Sequence, residues 1–340
     1  MVAAMLVMVN AACTGGAATA TPPSSSSPAH GWTMVAHARV GLTPGPVTLG
    51  GRWAFVADMG EGDVSQLDRA TGRVVATIRV ADPKALRAQG CAPDSVHAYY
   101  SGSWGWRMCD APYAIAWDGA SLWALDNGDR ELVRVDPIAH RVAETLAMPG
   151  TGWSLAIAGG VAFVSGMADN HALYSINLAS GVVTSTDTLD TGPASLAADS
   201  SAVWVACVRA GTGHLDRVDP ATLRVTGRYP IEWWSTAVAV DAGAVFVRGT
   251  FGGDISRVDA SSGRIAWTAP GPGFIGRQGI DELGTVKDGV WMSGPTTSRV
   301  DLATGQVVDR IQMPSETVAA ADGEVWLVEL NGSIAKFQLK

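Results

Sequence analysis

Charge is scarce in this chain. Only 24 Lys and Arg and 32 Asp and Glu occur among 340 residues, 16% in all, and no basic run appears anywhere. With a net charge of −8 this excludes nucleic acid as a partner, because phosphate binding needs clustered Lys and Arg. Runs of Glu, Lys, Leu and Ala that would build long helices are missing too, whereas Gly (40) and Trp (13) are plentiful. A hydrophobic share of 47% is ample for a core and excludes global disorder. The apolar N-terminal stretch Met1–Ala12 is too short to span a bilayer.

Cysteine and histidine are equally sparing. The four cysteines are Cys13, Cys91, Cys109 and Cys207, with no Cys-x-x-Cys pair and no His/Cys cluster along the chain, which gives a zinc site no support. None of the six histidines (His30, His37, His97, His140, His171, His214) stands in a His-x-His or Glu-x-His pair. No catalytic residue can be picked out from them.

What is present is repetition. Short aromatic β runs recur around Phe55, Trp123, Phe163, Trp204, Phe246, Trp291 and Trp326. From Trp123 onward the intervals are 40, 41, 42, 45 and 35 residues, and the one long gap, 68 residues, holds an insertion over 81–111. A second marker, Asp-x-x-Thr-Gly or a close variant, follows six of the runs at Asp68–Val74, Asp136–Val142, Asn177–Val183, Asp219–Val225, Asp259–Ile265 and Asp301–Val307. Asp or Asn opens such a turn by bonding its own backbone, and Gly supplies a positive φ before the next strand. Asp118-Gly119, Gly159-Gly160, Asp288-Gly289 and Asp322-Gly323 mark further hairpins. Four short strands per unit of about 40 residues is the pattern of a propeller blade. The expected fold is therefore all-β: a β-propeller of seven four-stranded blades whose recurring aromatics pack between blades.

The last unit runs out after three strands, near Thr317–Ala320, Val325–Val328 and Ser333–Gln338. The segment Met34–Val40 resembles the fourth strand Val74–Val80 and precedes the first unit, so the N-terminal strand is expected to complete the last blade and remove an open edge.

Two resemblances extend this reading. Ala11-Ala12-Cys13, followed by a Pro/Ser/Ala/Thr tract to about Pro28, resembles a bacterial lipoprotein signal, in which the peptide is cleaved before a Cys that is lipidated. It implies a signal peptide over 1–12, a Cys13-anchored tether over 13–30, and a domain over 31–340 outside the cytoplasm. That domain would be held at the membrane by a lipid anchor or secreted. In an oxidising compartment Cys91 and Cys109, which bracket the insertion, are the candidate disulfide, leaving Cys207 a buried thiol. The runs Val203–Val205 and Asp301–Val307 are similar to the YVTN and streptogramin-lyase-like group of propellers, which implies the fold and leaves binding, scaffold and lyase activities open.

A propeller's long loops share the rim reached by strand two to three and by strand four to the next blade. The candidate contacts for a glycan, peptide or protein there are Tyr99, Tyr100, Trp104, Trp106, Trp233, Trp234, Phe274 and Arg277, since aromatics offer large areas at low entropy cost. Gly271–Gly276 fits a Gly-x-Gly-x-x-Gly pattern but lies among prolines with no βαβ context, so it reads as loop. Three residues after their aromatics stand Asp58, Asp126 and Glu329, in neighbouring blades once the ring closes. They are the candidate ligands of a Ca²⁺ or Mg²⁺ ion, set against the plainer reading of solvated strand ends.

Overall fold

The computed structural model describes residues 31–82, 84, 110–166, 172–186, 189, 192–209, 212–232, 235–241, 243–249, 253–273 and 283–340. Its strands form seven antiparallel sheets of four. After the N-terminal β1 (Trp32–Arg39), blade one is β2 (Pro44–Gly50), β3 (Trp53–Asp58), β4 (Asp63–Asp68) and β5 (Val74–Arg79). Blade two follows as β6 (Pro112–Trp117), β7 (Leu122–Asp126), β8 (Glu131–Asp136) and β9 (Arg141–Ala147). Blade three is β10 (Gly152–Ala158), β11 (Val161–Gly166), β12 (Leu173–Asn177) and β13 (Val183–Thr186). Blade four is β14 (Gly192–Ala198), β15 (Val203–Arg209), β16 (Thr212–Val218) and β17 (Val225–Ile231). Blade five is β18 (Ser235–Asp241), β19 (Ala244–Gly249), β20 (Ile255–Asp259) and β21 (Ile265–Ala269). Blade six is β22 (Leu283–Val286), β23 (Gly289–Met292), β24 (Thr297–Asp301) and β25 (Val307–Ile311). Blade seven has β26 (Thr317–Ala321), β27 (Glu324–Glu329) and β28 (Ser333–Leu339), and β1 supplies its fourth strand.

The seven aromatics explain why the blades assemble. Each sits on the second strand of its blade, is no more than 1% exposed, and reaches into the next blade. Phe55 packs with Ile115 and Leu122 of blade two, and Trp123 with Leu155 and Val164 of blade three. The pattern continues until Trp326 of blade seven meets Val47 and Val56 of blade one, which closes the circle. A buried aromatic of this size is worth several kcal/mol to the interface it fills. Outer strands show the opposite pattern: β9 and β17 alternate between exposed and half-buried positions, as expected of a sheet with one wet face.

The six Asp/Asn turns form as the sequence predicts. In each the Asp or Asn oxygen accepts the backbone N–H three residues on, as between Asp68 and Thr71 (2.9 Å) and between Asp301 and Thr304 (2.8 Å). Where two of the turns lack glycine, His140 and Leu223 take its place at φ of 52° and 55°. Closure is antiparallel, with Trp32 opposite Leu339 and Arg39 opposite Ser333.

Candidate functional site on the loop rim

The register divides the ring into two rims. On one, Trp53 pairs with Asp68 and Gly50 with Trp53, so the tight Asp-x-x-Thr-Gly turns and the short hairpins all lie there. On the other, Pro44 pairs with Asp58 and Asp63 with Arg79, so second strands end there and each fourth strand leaves for the next blade. The segments 83–109, 233–234 and 274–282 all join a fourth strand to the next first strand, and they begin and end on this second rim. Tyr99, Tyr100, Trp104, Trp106, Trp233, Trp234, Phe274 and Arg277 belong to these segments and lie outside the described residues, as do Cys13, Cys91 and Cys109.

The roots of those segments are fixed by polar anchors. Asp110 Oδ2 accepts the N–H of Asp82 at 2.9 Å, tying together the two ends of the insertion. The guanidinium of Arg248, 1% exposed, donates to the carbonyl of Gly273 at 2.8 Å and to Ser293 Oγ at 3.3 Å. The Ser235 hydroxyl donates to the carbonyl of Glu232 at 2.8 Å across the pair Trp233-Trp234. The strand ends that carry these segments are thus held by hydrogen bonds, the arrangement binding loops use.

The acidic residues of the rim are separated by their partners. Asp58, fully buried, accepts the Ser65 hydroxyl at 2.6 Å and the Gly41 N–H at 2.9 Å. Burial pushes its carboxyl up to about 7, against the hydrogen bonds from Ser65 and Gly41 that lower it. Asp126 is also buried; desolvation, then its hydrogen bond with Asp110 and the repulsion between the two, raise its carboxyl well above the usual range. Glu329 faces neither. It meets His37 Nε2 of β1 at 2.7 Å and accepts from Asn331 at 3.3 Å.

The structure therefore does not gather Asp58, Asp126 and Glu329 into one ligand set, because each carboxylate is drawn to partners within or beside its own blade. Among the described residues, Asp126 instead lies with Asp110 and Asp129, their nearest oxygens all within 4.8 Å of one another. Spacing from the aromatics identified the level of these groups on the rim but not their neighbours.

A second group was hidden in the sequence. The hairpin of β15 and β16 sets Cys207 directly opposite His214, with Asp216 two residues on and on the same face. Asp216 Oδ2 lies 3.7 Å from His214 Nε2 and 3.9 Å from Cys207 Sγ. Arg228 of β17 forks onto the same carboxylate, Nε to Oδ1 at 2.8 Å and Nη2 to Oδ2 at 3.0 Å. The signal that could have found it is a Cys and a His equally far from the turn between two strands.

At the centre, the seven inner strands line a cavity of about 340 Å³, bordered by Thr48, Ser154, Ser195 and Thr285 among others. Two of these hydroxyls link adjacent blades: Ser154 Oγ accepts the N–H of Leu196 at 3.3 Å, and Ser195 Oγ that of Val238 at 3.2 Å.

No family model matches this chain, and no curated protein matches it. Solved structures do. The computationally designed Ika8 protein is 13% identical, with a TM-score of 0.59 over 87% of this chain and 83% of that one. At that identity the likeness concerns the fold alone: this is a seven-bladed β-propeller, and what it does must be argued from its own site.

Proposed function

We propose that this propeller is a binding or scaffold module acting outside the cytoplasm, with its loop rim as the recognition surface for a glycan, peptide or protein. The observation that carries the reading is the asymmetry of the rims. One is closed by six near-identical turns, whereas the other mounts three loops bearing seven aromatic residues on buried polar anchors. Aromatic side chains in loops carried by a rigid ring would supply contact area with little entropy to lose. Export and anchoring through Cys13 rest on the signal-like N-terminus, and the tether over 13–30 would hold the ring at the membrane surface.

A thermal-shift screen of the purified domain against cell-wall glycans and short peptides tests the reading. A ligand of the rim should raise the melting temperature in a saturable way, since a ligand that binds only the folded state stabilises it. A flat response across glycans, peptides and envelope proteins counts against it.

The second reading is a metal-dependent lyase or hydrolase using Ca²⁺ or Mg²⁺. The proximity of Asp110, Asp126 and Asp129 is the observation that favours it, since hard cations take carboxylate oxygens. Against it, desolvation by burial raises the carboxyls of both Asp110 and Asp126, which disfavours the ionised forms a cation would need. On this reading, Ca²⁺ at a hundred times its Kd adds roughly 2.7 kcal/mol of stability, and Asp126→Asn removes most of it. Absence of any cation-dependent shift sinks the lyase reading and leaves the binding reading untouched.

A further inference from the structure

Blade four holds the one mixed group of soft and hard ligand atoms found among the described residues. Cys207, His214 and Asp216 offer a sulfur, an imidazole nitrogen and a carboxylate oxygen, all within 4.8 Å of one another. Cys207 is not engaged in a disulfide, and it and Asp216 are fully buried, while the His214 side chain is 13% exposed and leaves a way in from solvent.

Metal geometry sets the standard for such a group. Zinc bonds of about 2.3 Å to sulfur and about 2.0–2.2 Å to nitrogen or oxygen, at tetrahedral angles, place neighbouring ligand atoms roughly 3.4–3.6 Å apart. The observed 3.9 Å from Sγ to Oδ2 and 3.7 Å from Nε2 to Oδ2 are only slightly wider. The sulfur and the imidazole nitrogen also lie within 4.8 Å of each other, so metal binding would require the three side chains to draw in. The donor set also selects among metals: thiolate and imidazole suit zinc and its transition-metal neighbours, whereas Ca²⁺ and Mg²⁺ take oxygen.

We propose that Cys207, His214 and Asp216 form a three-ligand site for a divalent transition metal ion, zinc by its donor chemistry, with the fourth position left for water. On binding, the Cys207 thiol gives its proton to solvent and coordinates as thiolate, and the neutral His214 ring supplies the lone pair of Nε2. Arg228 is a positioning residue. Its fork fixes the plane of the Asp216 carboxylate and holds both of its oxygens in place beside Cys207 and His214. The plainer account is that Arg228 and Asp216 are a structural ion pair and Cys207 is core, packed with Leu173 and Leu196. The two accounts differ in what the sulfur does.

The experiment uses the full chain, reduced and freed of metal by chelation, titrated with Co²⁺ and then Zn²⁺. The proposal expects one equivalent bound, a thiolate-to-cobalt charge-transfer band that zinc bleaches, and no competition from Ca²⁺. Cys207→Ser should lose the band, and His214→Gln should keep it but bind more than about tenfold more weakly. Arg228→Gln should weaken binding by about 10–100-fold with the band retained. The proposal is overturned if no band forms in the wild type, or if the band survives in Cys207→Ser, which would place the metal on Cys13, Cys91 or Cys109. Should Cys207→Ser fail to fold, His214→Gln decides, because unchanged affinity there excludes the site.

Discussion

Arg69 of blade one and Glu324 of blade seven meet across the seam of the ring, with Nε 2.7 Å from Oε1. The same carboxylate takes Lys336 Nζ at 3.2 Å, and that ammonium, 2% exposed, also donates to the Arg69 carbonyl and lies over the Trp326 ring. Two cations therefore depend on one acid at the joint where the chain's beginning and end are held. Glu324→Gln leaves a buried ammonium without its counter-charge and should cost about 3–5 kcal/mol, read by denaturant unfolding. A loss below about 1 kcal/mol would mean that the clasp is only a surface pair.

Closure by β1 gives a second prediction. A chain lacking residues 1–29 should melt like the whole, whereas one lacking residues 1–40 exposes the edge of β28 along its length and should aggregate or lose much of its stability. Equal melting of the two truncations contradicts closure.

Packing between blades can be probed at Gly50. A Cβ there would fall 2.2 Å from the ring of Trp117, which stacks on Phe55 at 5.7 Å. Gly50→Ala should cost roughly 1–3 kcal/mol by overpacking. The same change in a Trp117→Ala background should cost far less, and a double-mutant cycle reads the difference. Additive costs would show that the ring is not what excludes the methyl group.

The buried carboxyl of Asp58 makes stability depend on pH. Its folded value of about 7 lies above the unfolded value of about 3.9, so the folded chain holds the proton more tightly. The contribution is fully present below about pH 4 and is lost as pH rises through about 7. Asp126 acts in the same direction. Unfolding measured from pH 5 to 8 should show stability falling with pH, and Asp58→Asn should flatten the slope. An identical slope in the variant refutes the assignment.

Much of the fold was legible because the ring imposes the same demands seven times. Each second strand must send an aromatic into the next blade, and each Asp turn must reverse the chain, so Phe55, Trp204 or Asp301 can be read in isolation. Even β1 was legible, through its likeness to β5 and the missing strand at the other end. The site was less so. Carboxylate partners are set by which chain segments meet in space: Asp126 finds Asp110, sixteen residues back at the end of the insertion, and Glu329 finds His37 at the opposite end of the chain. The group at Cys207 depends on hairpin register, where a slip of one residue would turn His214 and Asp216 to the other face.

The central claim, that recognition belongs to the loop rim and not to the turn rim, is tested most directly by comparing variants of each against a ligand found in the screen. Trp233→Ala/Trp234→Ala and Trp104→Ala/Trp106→Ala alter the loops, and Thr71→Ala/Thr304→Ala alters the opposite turns. By titration calorimetry, with folding verified by melting, the loop variants should lose more than about 2 kcal/mol of binding each, while the turn variant binds as the wild type does. Undiminished binding by both loop variants, or loss confined to the turn variant, would contradict the account.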